Sequence, residues 1–145
     1  MKSFIAGIYP SFVSGRGGAA LFFLRVVAGA AFMFHGWGKI HDPFGWMGAQ
    51  SHTPGIMQAL AAVSEFFGGL GWILGLLTPI ASFGIWCTML VAVGFHVSTG
   101  SPFVGQGGYE PALVYLVIST MLVLFGPGKI SIDALIFGRA RDPRS

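Results

Sequence analysis

Residues 55–79 read GIMQALAAVSEFFGGLGWILGLLTP. Almost every position is apolar or small, and a helix of about 20 such residues crosses ~30 Å of hydrocarbon. One ionisable side chain, Glu65, stands near the middle. The run stops at Thr78-Pro79, because proline lacks an amide hydrogen and clashes with the preceding turn. A second apolar window begins at Pro79 and continues to about Ser98, so the two helices must be antiparallel neighbours joined by a very short connection. Outward from this pair, similar windows cover about 19–40, ending before His41-Asp42-Pro43, and about 111–125, ending at Gly126-Pro127-Gly128. The expected fold class is all-α, a single integral-membrane four-helix bundle with spans at about 19–40, 55–77, 79–98 and 111–125 over the 145-residue chain.

Composition agrees with a lipid solvent. The chain is 54% hydrophobic and only 9% charged, against about 25% charged in ordinary globular proteins, and its mean hydropathy is +0.75. A soluble monomer is excluded. Eight Lys and Arg against five Asp and Glu give +3, and the basic residues gather near the two ends without forming a run that tracks phosphates, which excludes nucleic acid as partner. The single cysteine, Cys87, rules out an internal disulfide or a CxxC redox pair.

Positive charge sets the expected orientation. Lys2, Arg16 and Arg25 precede or open the first window, and Lys129, Arg139, Arg141 and Arg144 follow the fourth, while the opposite face offers only Lys39. Both termini are therefore expected in the cytoplasm of a multi-pass protein of the inner (plasma) membrane. The first window is expected to be a retained helix and not a cleaved signal. The outer loops, His41 to Pro54 and Thr99 to Glu110, carry Phe44, Trp46, Phe103 and Tyr109, aromatics suited to headgroup level. Past the fourth window, residues 129–137 are expected to form a short interfacial helix with Ser131 as N-cap.

Ionisable residues within the spans carry the functional signal, since each is costly in hydrocarbon unless it faces protein or water. Glu65 shares its helical face with Ala61, Ala62, Gly68, Gly69 and Trp72, a small-residue stripe that points it into the bundle. There its carboxyl is either protonated or held ionised by a cation. His35 and Lys39 lie four apart on one face of the first helix. Lys39 is expected to snorkel to the outer interface, and Arg25 to reach cytoplasmic headgroups in preference to pairing with Glu65. By depth, His96 and Glu110 join His35, Lys39 and Glu65 in the outer half of the bundle. His41 and His52 are expected to lie in a wet loop without a role.

A histidine and a buried carboxyl can bind and exchange protons with the head group of a quinone entering from lipid. Neither HExxH nor ExxH occurs, so a di-metal carboxylate bundle is not expected, and two generic histidines do not specify haem. No metal and no covalently bound cofactor is expected; the candidate ligand is a quinone or another small apolar molecule.

Three elements, His35-Gly36-Trp37-Gly38-Lys39, Glu65-Phe66-Phe67-Gly68-Gly69 and Gly126-Pro127-Gly128-Lys129-Ile130-Ser131-Ile132-Asp133, occur here in order. With Leu24-Arg25 and Gly75-Leu76-Leu77-Thr78-Pro79 they resemble the DoxX family of small four-helix membrane proteins. The related DoxD-type proteins are linked to thiosulfate:quinone oxidoreductase, and some DoxX proteins partner redox or oxidative-stress enzymes. The resemblance implies that His35, Lys39, Glu65, Lys129, Ser131 and Asp133 occupy the family's polar positions. Two functions are carried forward. In the first, a redox-associated subunit binds a quinone-like ligand, with Glu65 and His35 as the working groups and Lys39, His96, Glu110 and Trp72 around them, and takes electrons from a partner oxidoreductase. Lys129, Ser131 and Asp133 then form a structural motif. The second is a non-catalytic membrane scaffold or small-molecule passage protein, and either function is compatible with a homo-oligomer.

Overall fold

The computed structural model of the protein describes Tyr9 and residues 11–138. Lys2, Arg139, Arg141 and Arg144 lie outside the described residues. Among those described, the chain is all-helical: α1 (Gly15–His41), α2 (Gly55–Leu74), α3 (Thr78–Ser98), α4 (Glu110–Phe125) and α5 (Ile132–Phe137). Helices consecutive in the chain pack side by side from α1 to α4. One core draws on all four long helices, through Leu21, Ala28 and Phe32 of α1, Trp72 of α2, Ile85 and Met89 of α3 and Leu122 of α4. The Phe32 ring meets that of Tyr115 on α4 edge-on, with centroids 4.6 Å apart.

α1, α2 and α3 are long and apolar enough to cross a membrane. α4 has 16 residues, about 24 Å at 1.5 Å per residue, and is a shorter apolar helix. Phe23, Phe34, Ile80, Phe83, Val91 and Leu124 stand exposed on the outside of these helices, a distribution that water would not tolerate and that lipid requires.

Local chemistry sets the ends. α2 stops at Leu74, three residues short of the expected end, in a Schellman motif. Gly75 takes a left-handed φ of 63°, its N–H donates to Trp72 O at 3.2 Å, and Leu76 N–H reaches back to Gly71 O at 2.9 Å. Gly71 and Gly75 thus serve a turn within the chain. Pro79 and Pro111 occupy the first turns of α3 and α4, where no amide hydrogen is needed. Ser131 Oγ accepts from Ala134 N–H at 3.1 Å and caps α5.

Candidate functional site

α1 and α2 touch through backbone. A methyl group built on Gly29 would lie 2.5 Å from Gly69 O, and one on Gly69 would lie 2.6 Å from Gly29 O, so only glycine permits this approach. Further along the seam, Gly36 faces the backbone of Phe66 equally closely. That register sets Lys39, near the end of α1, beside Glu65 of α2. Lys39 Nζ donates to Glu65 Oε1 and Oε2, each at 2.6 Å. The carboxylate side chain is 3% exposed and the lysine 25%.

Lys39 therefore does not snorkel outward. Side chains of a helix lean toward its N-terminus, which for α1 points away from the loops and down the seam, and the nearest anion lies in that direction. Above the pair, the Trp46 ring sits 4.4 Å from Lys39 Nζ, a cation–π contact. Trp46 is in turn fixed by Gln58. Its indole N–H donates to Gln58 O at 3.0 Å, Met47 N–H donates to Gln58 Oε1 at 3.0 Å, and Gln58 Nε2 donates to Thr53 O at 2.9 Å. The loop from 42 to 54 is thus folded over the ion pair. Sequence reasoning missed Gln58, although a signal was present: Gln58, Ala62, Glu65, Gly69 and Trp72 share one buried face of α2 at helical spacing.

The other residues expected in the loop-side half do not converge on Glu65. His35 stands exposed, edge-on to Phe32 and Tyr115 at centroid distances of 6.3 and 6.4 Å. Among the described residues Glu65 accepts hydrogen bonds from Lys39 alone. The longer stem of Lys39 reaches the carboxylate, and the shorter imidazole, one turn back on the same face, is left against α4. His96 Nδ1 pairs with Ser101 Oγ at 3.1 Å. Glu110 is exposed at the start of α4, where its charge suits the helix N-terminus. Trp72 is buried in the core and its indole N–H donates to Ser82 Oγ at 2.9 Å. His41 closes α1, its Nδ1 2.7 Å from Trp37 O, and His52 is exposed. No group of three or more His, Cys, Asp or Glu arranged to hold a metal occurs among the described residues.

A second polar cluster occupies the opposite end, at the corner between α2 and α3. Arg25 is fully buried. Its guanidinium donates to Trp72 O at 2.7 Å and to Ile130 O, so it neither reaches headgroups nor pairs with Glu65. Trp72 O belongs to the last turn of α2, where carbonyls lack intrahelical partners and carry the negative end of the helix dipole. Two carbonyl acceptors thus replace water at the terminal nitrogens, while Nε has no partner among the described residues. Asp133 acts at the adjoining helix start. Its Oδ1 accepts from Leu77 N–H at 2.8 Å and its Oδ2 from Thr78 N–H at 2.9 Å, and Asp133 N–H donates to Gly75 O at 2.8 Å. Cation at the C-terminus of α2 and anion at the N-terminus of α3 complement both dipoles. Tyr9 is buried against Phe137, and burial, aided by the nearby Asp133 carboxylate, pushes its phenol well above the usual range. Lys129 is exposed, and its N–H ties Val13 O at 2.8 Å.

A DoxX sequence model matches residues 20–98. The chain belongs to the DoxX family. It is also similar to an uncharacterized protein of Haemophilus influenzae, 34% identical over 122 residues that cover 81% of this chain and 90% of the relative. No solved structure matches it. Family membership and the apolar helices together make this a membrane protein. The DoxX match takes in the HGxxK and ExxGG elements, of which Gly36 and Gly69 lie on the α1–α2 seam and Lys39 and Glu65 form the ion pair; GPGKxSxD lies beyond it and builds the corner.

Proposed function

We propose that this DoxX protein is a redox-associated subunit of the inner (plasma) membrane, with both termini cytoplasmic and α4 as a fourth crossing, that binds a quinone-like ligand beside the Lys39–Glu65 pair. The observation that carries the reading is the pair itself: a carboxylate buried in an apolar bundle, held by one lysine, under a loop. Burying two charges costs several kcal/mol per ion before their attraction offsets it, so stability alone is a poor reason to keep them in a membrane helix. Lys39, a quarter exposed, gives the pair a face toward a ligand. His35, exposed on α1, and the half-buried Tyr115 of α4 provide an aromatic edge along which a quinone ring can lie, with His35 as a hydrogen-bonding group for a quinone oxygen. Reducing a quinone takes two electrons and two protons. The electrons come from a partner oxidoreductase, as this chain has no cysteine pair, and Lys39–Glu65 is the group suited to pass protons to the ring oxygens.

Binding of a ubiquinone or menaquinone analogue to purified protein tests the reading. Glu65→Gln and His35→Ala, each verified as folded, are expected to weaken binding about tenfold, the loss that ~1.4 kcal/mol of hydrogen bonding represents. Unchanged affinity in both variants rejects quinone binding here and transfers the case to a non-catalytic scaffold.

A further inference from the structure

We infer that the groove where α5 closes over the corner-side ends of α1 and α2 seats an anionic phospholipid. The groove is open to its surroundings and offers about 330 Å³. Its walls are mostly apolar, formed by Phe22 of α1, Ile73 and Leu74 of α2, and Ile132 and Leu135 of α5, and the exposed Lys129 is the one charged residue in its lining. Leu135 is 78% exposed. An open apolar groove lined by one exposed cation, beside the end of a membrane-length helix, matches an acyl chain and its phosphate.

Charge settles which lipid fits. Lys129 enters no salt bridge among the described residues. Of the acids described, Asp42, Glu65 and Glu110 belong to the loop end of the bundle. The one acid at the corner end, Asp133, is buried, with both carboxylate oxygens accepting N–H groups of the α2–α3 turn. The exposed cations Arg16 and Lys129 therefore face headgroups without a competing surface carboxylate in this part of the described chain. Ser131 Oγ is already engaged with Gly128 O and Ala134 N–H, which leaves the Lys129 ammonium as the headgroup ligand. The site is also joined to the fold, because the neighbouring Ile130 carbonyl holds Arg25.

Native mass spectrometry of the purified protein, released from micelles containing equal amounts of phosphatidylglycerol and phosphatidylcholine, provides the test. One juxtamembrane lysine contributes ~1 kcal/mol toward an anionic headgroup, so retained phosphatidylglycerol should exceed phosphatidylcholine about fivefold. Lys129→Gln should bring the ratio close to one, Lys129→Arg should preserve it, and Leu135→Ser should reduce retention of both lipids. Lys129 and Leu135 are exposed, so these substitutions leave the core intact. Equal retention of the two lipids by the unaltered protein, or a preference that survives Lys129→Gln, overturns the proposal. The quinone reading is separable: Glu65→Gln, at the other end of the bundle, should leave the lipid preference unchanged.

Discussion

Lys39 and Glu65 show how strongly one long side chain can redirect a buried charge. With both carboxylate oxygens 2.6 Å from the ammonium, removing either partner leaves an uncompensated ion. A fully enclosed pair would lose ~3–5 kcal/mol on such a cut; with Lys39 a quarter exposed, water relieves part of the loss. Lys39→Met should therefore destabilise the protein by about 2 kcal/mol, measured by thermal or SDS unfolding in detergent. The double variant Lys39→Met with Glu65→Leu should recover to within about 1 kcal/mol of the parent, since apolar replacement of both members of a buried pair is often neutral. A double variant as unstable as the sum of its parts would mean that the two residues act independently. The acid's inward direction was legible in the small residues around it. Its partner was not, because the choice between imidazole and ammonium depends on reach and lean, which spacing alone does not encode.

At the scale of elements, the α2–α3 corner combines three devices: the left-handed Gly75, the dipole-matched Arg25 and the bidentate cap from Asp133. Leu77 takes a left-handed φ of 49°, a conformation that costs a residue with a Cβ about 1 kcal/mol or more. Leu77→Gly should relieve that strain at the expense of greater freedom in the unfolded chain, leaving stability level or up to ~1 kcal/mol higher. Asp133→Ala should lower it by about 2 kcal/mol through loss of the α3 cap. Unfolding midpoints of the two variants check both signs, and a Leu77→Gly protein markedly less stable than its parent would show that the backbone there is not strained. Sequence placed this break within a few residues through Thr78-Pro79. It did not place Arg25, whose acceptors are backbone carbonyls 47 and 105 positions away; every residue type offers a carbonyl, so such a bond leaves no trace in the side-chain pattern.

Over the whole molecule, helix number and neighbour order were readable because apolar windows, prolines and glycines are local signals, whereas convergence of His35, His96 and Glu110 on Glu65 was argued from depth alone. Depth fixes approximate height along the bundle but neither the angle around each helix nor the reach of each side chain, and for His35, on the same face as Lys39, reach makes the difference. Pairing of Lys39 also sharpens the charge asymmetry behind the proposed orientation: Arg16 and Lys129 are exposed at the corner end, while the one lysine at the loop end is neutralised by Glu65. A Gln50→Cys probe in a Cys87→Ala background should be labelled by a membrane-impermeant maleimide added to intact cells, and protection of that exposed loop position until the cells are opened would invert the topology. The corner carries a further consequence for biogenesis. Its acceptor at Ile130 and its cap at Asp133 are synthesised after α1, α2 and α3, so until then the Arg25 guanidinium has Trp72 O but lacks its second acceptor, and the amides of Leu77 and Thr78 lack their cap. A chain stopped before residue 130 should therefore close this corner incompletely, with one guanidinium donor and two amides unmet in an apolar setting.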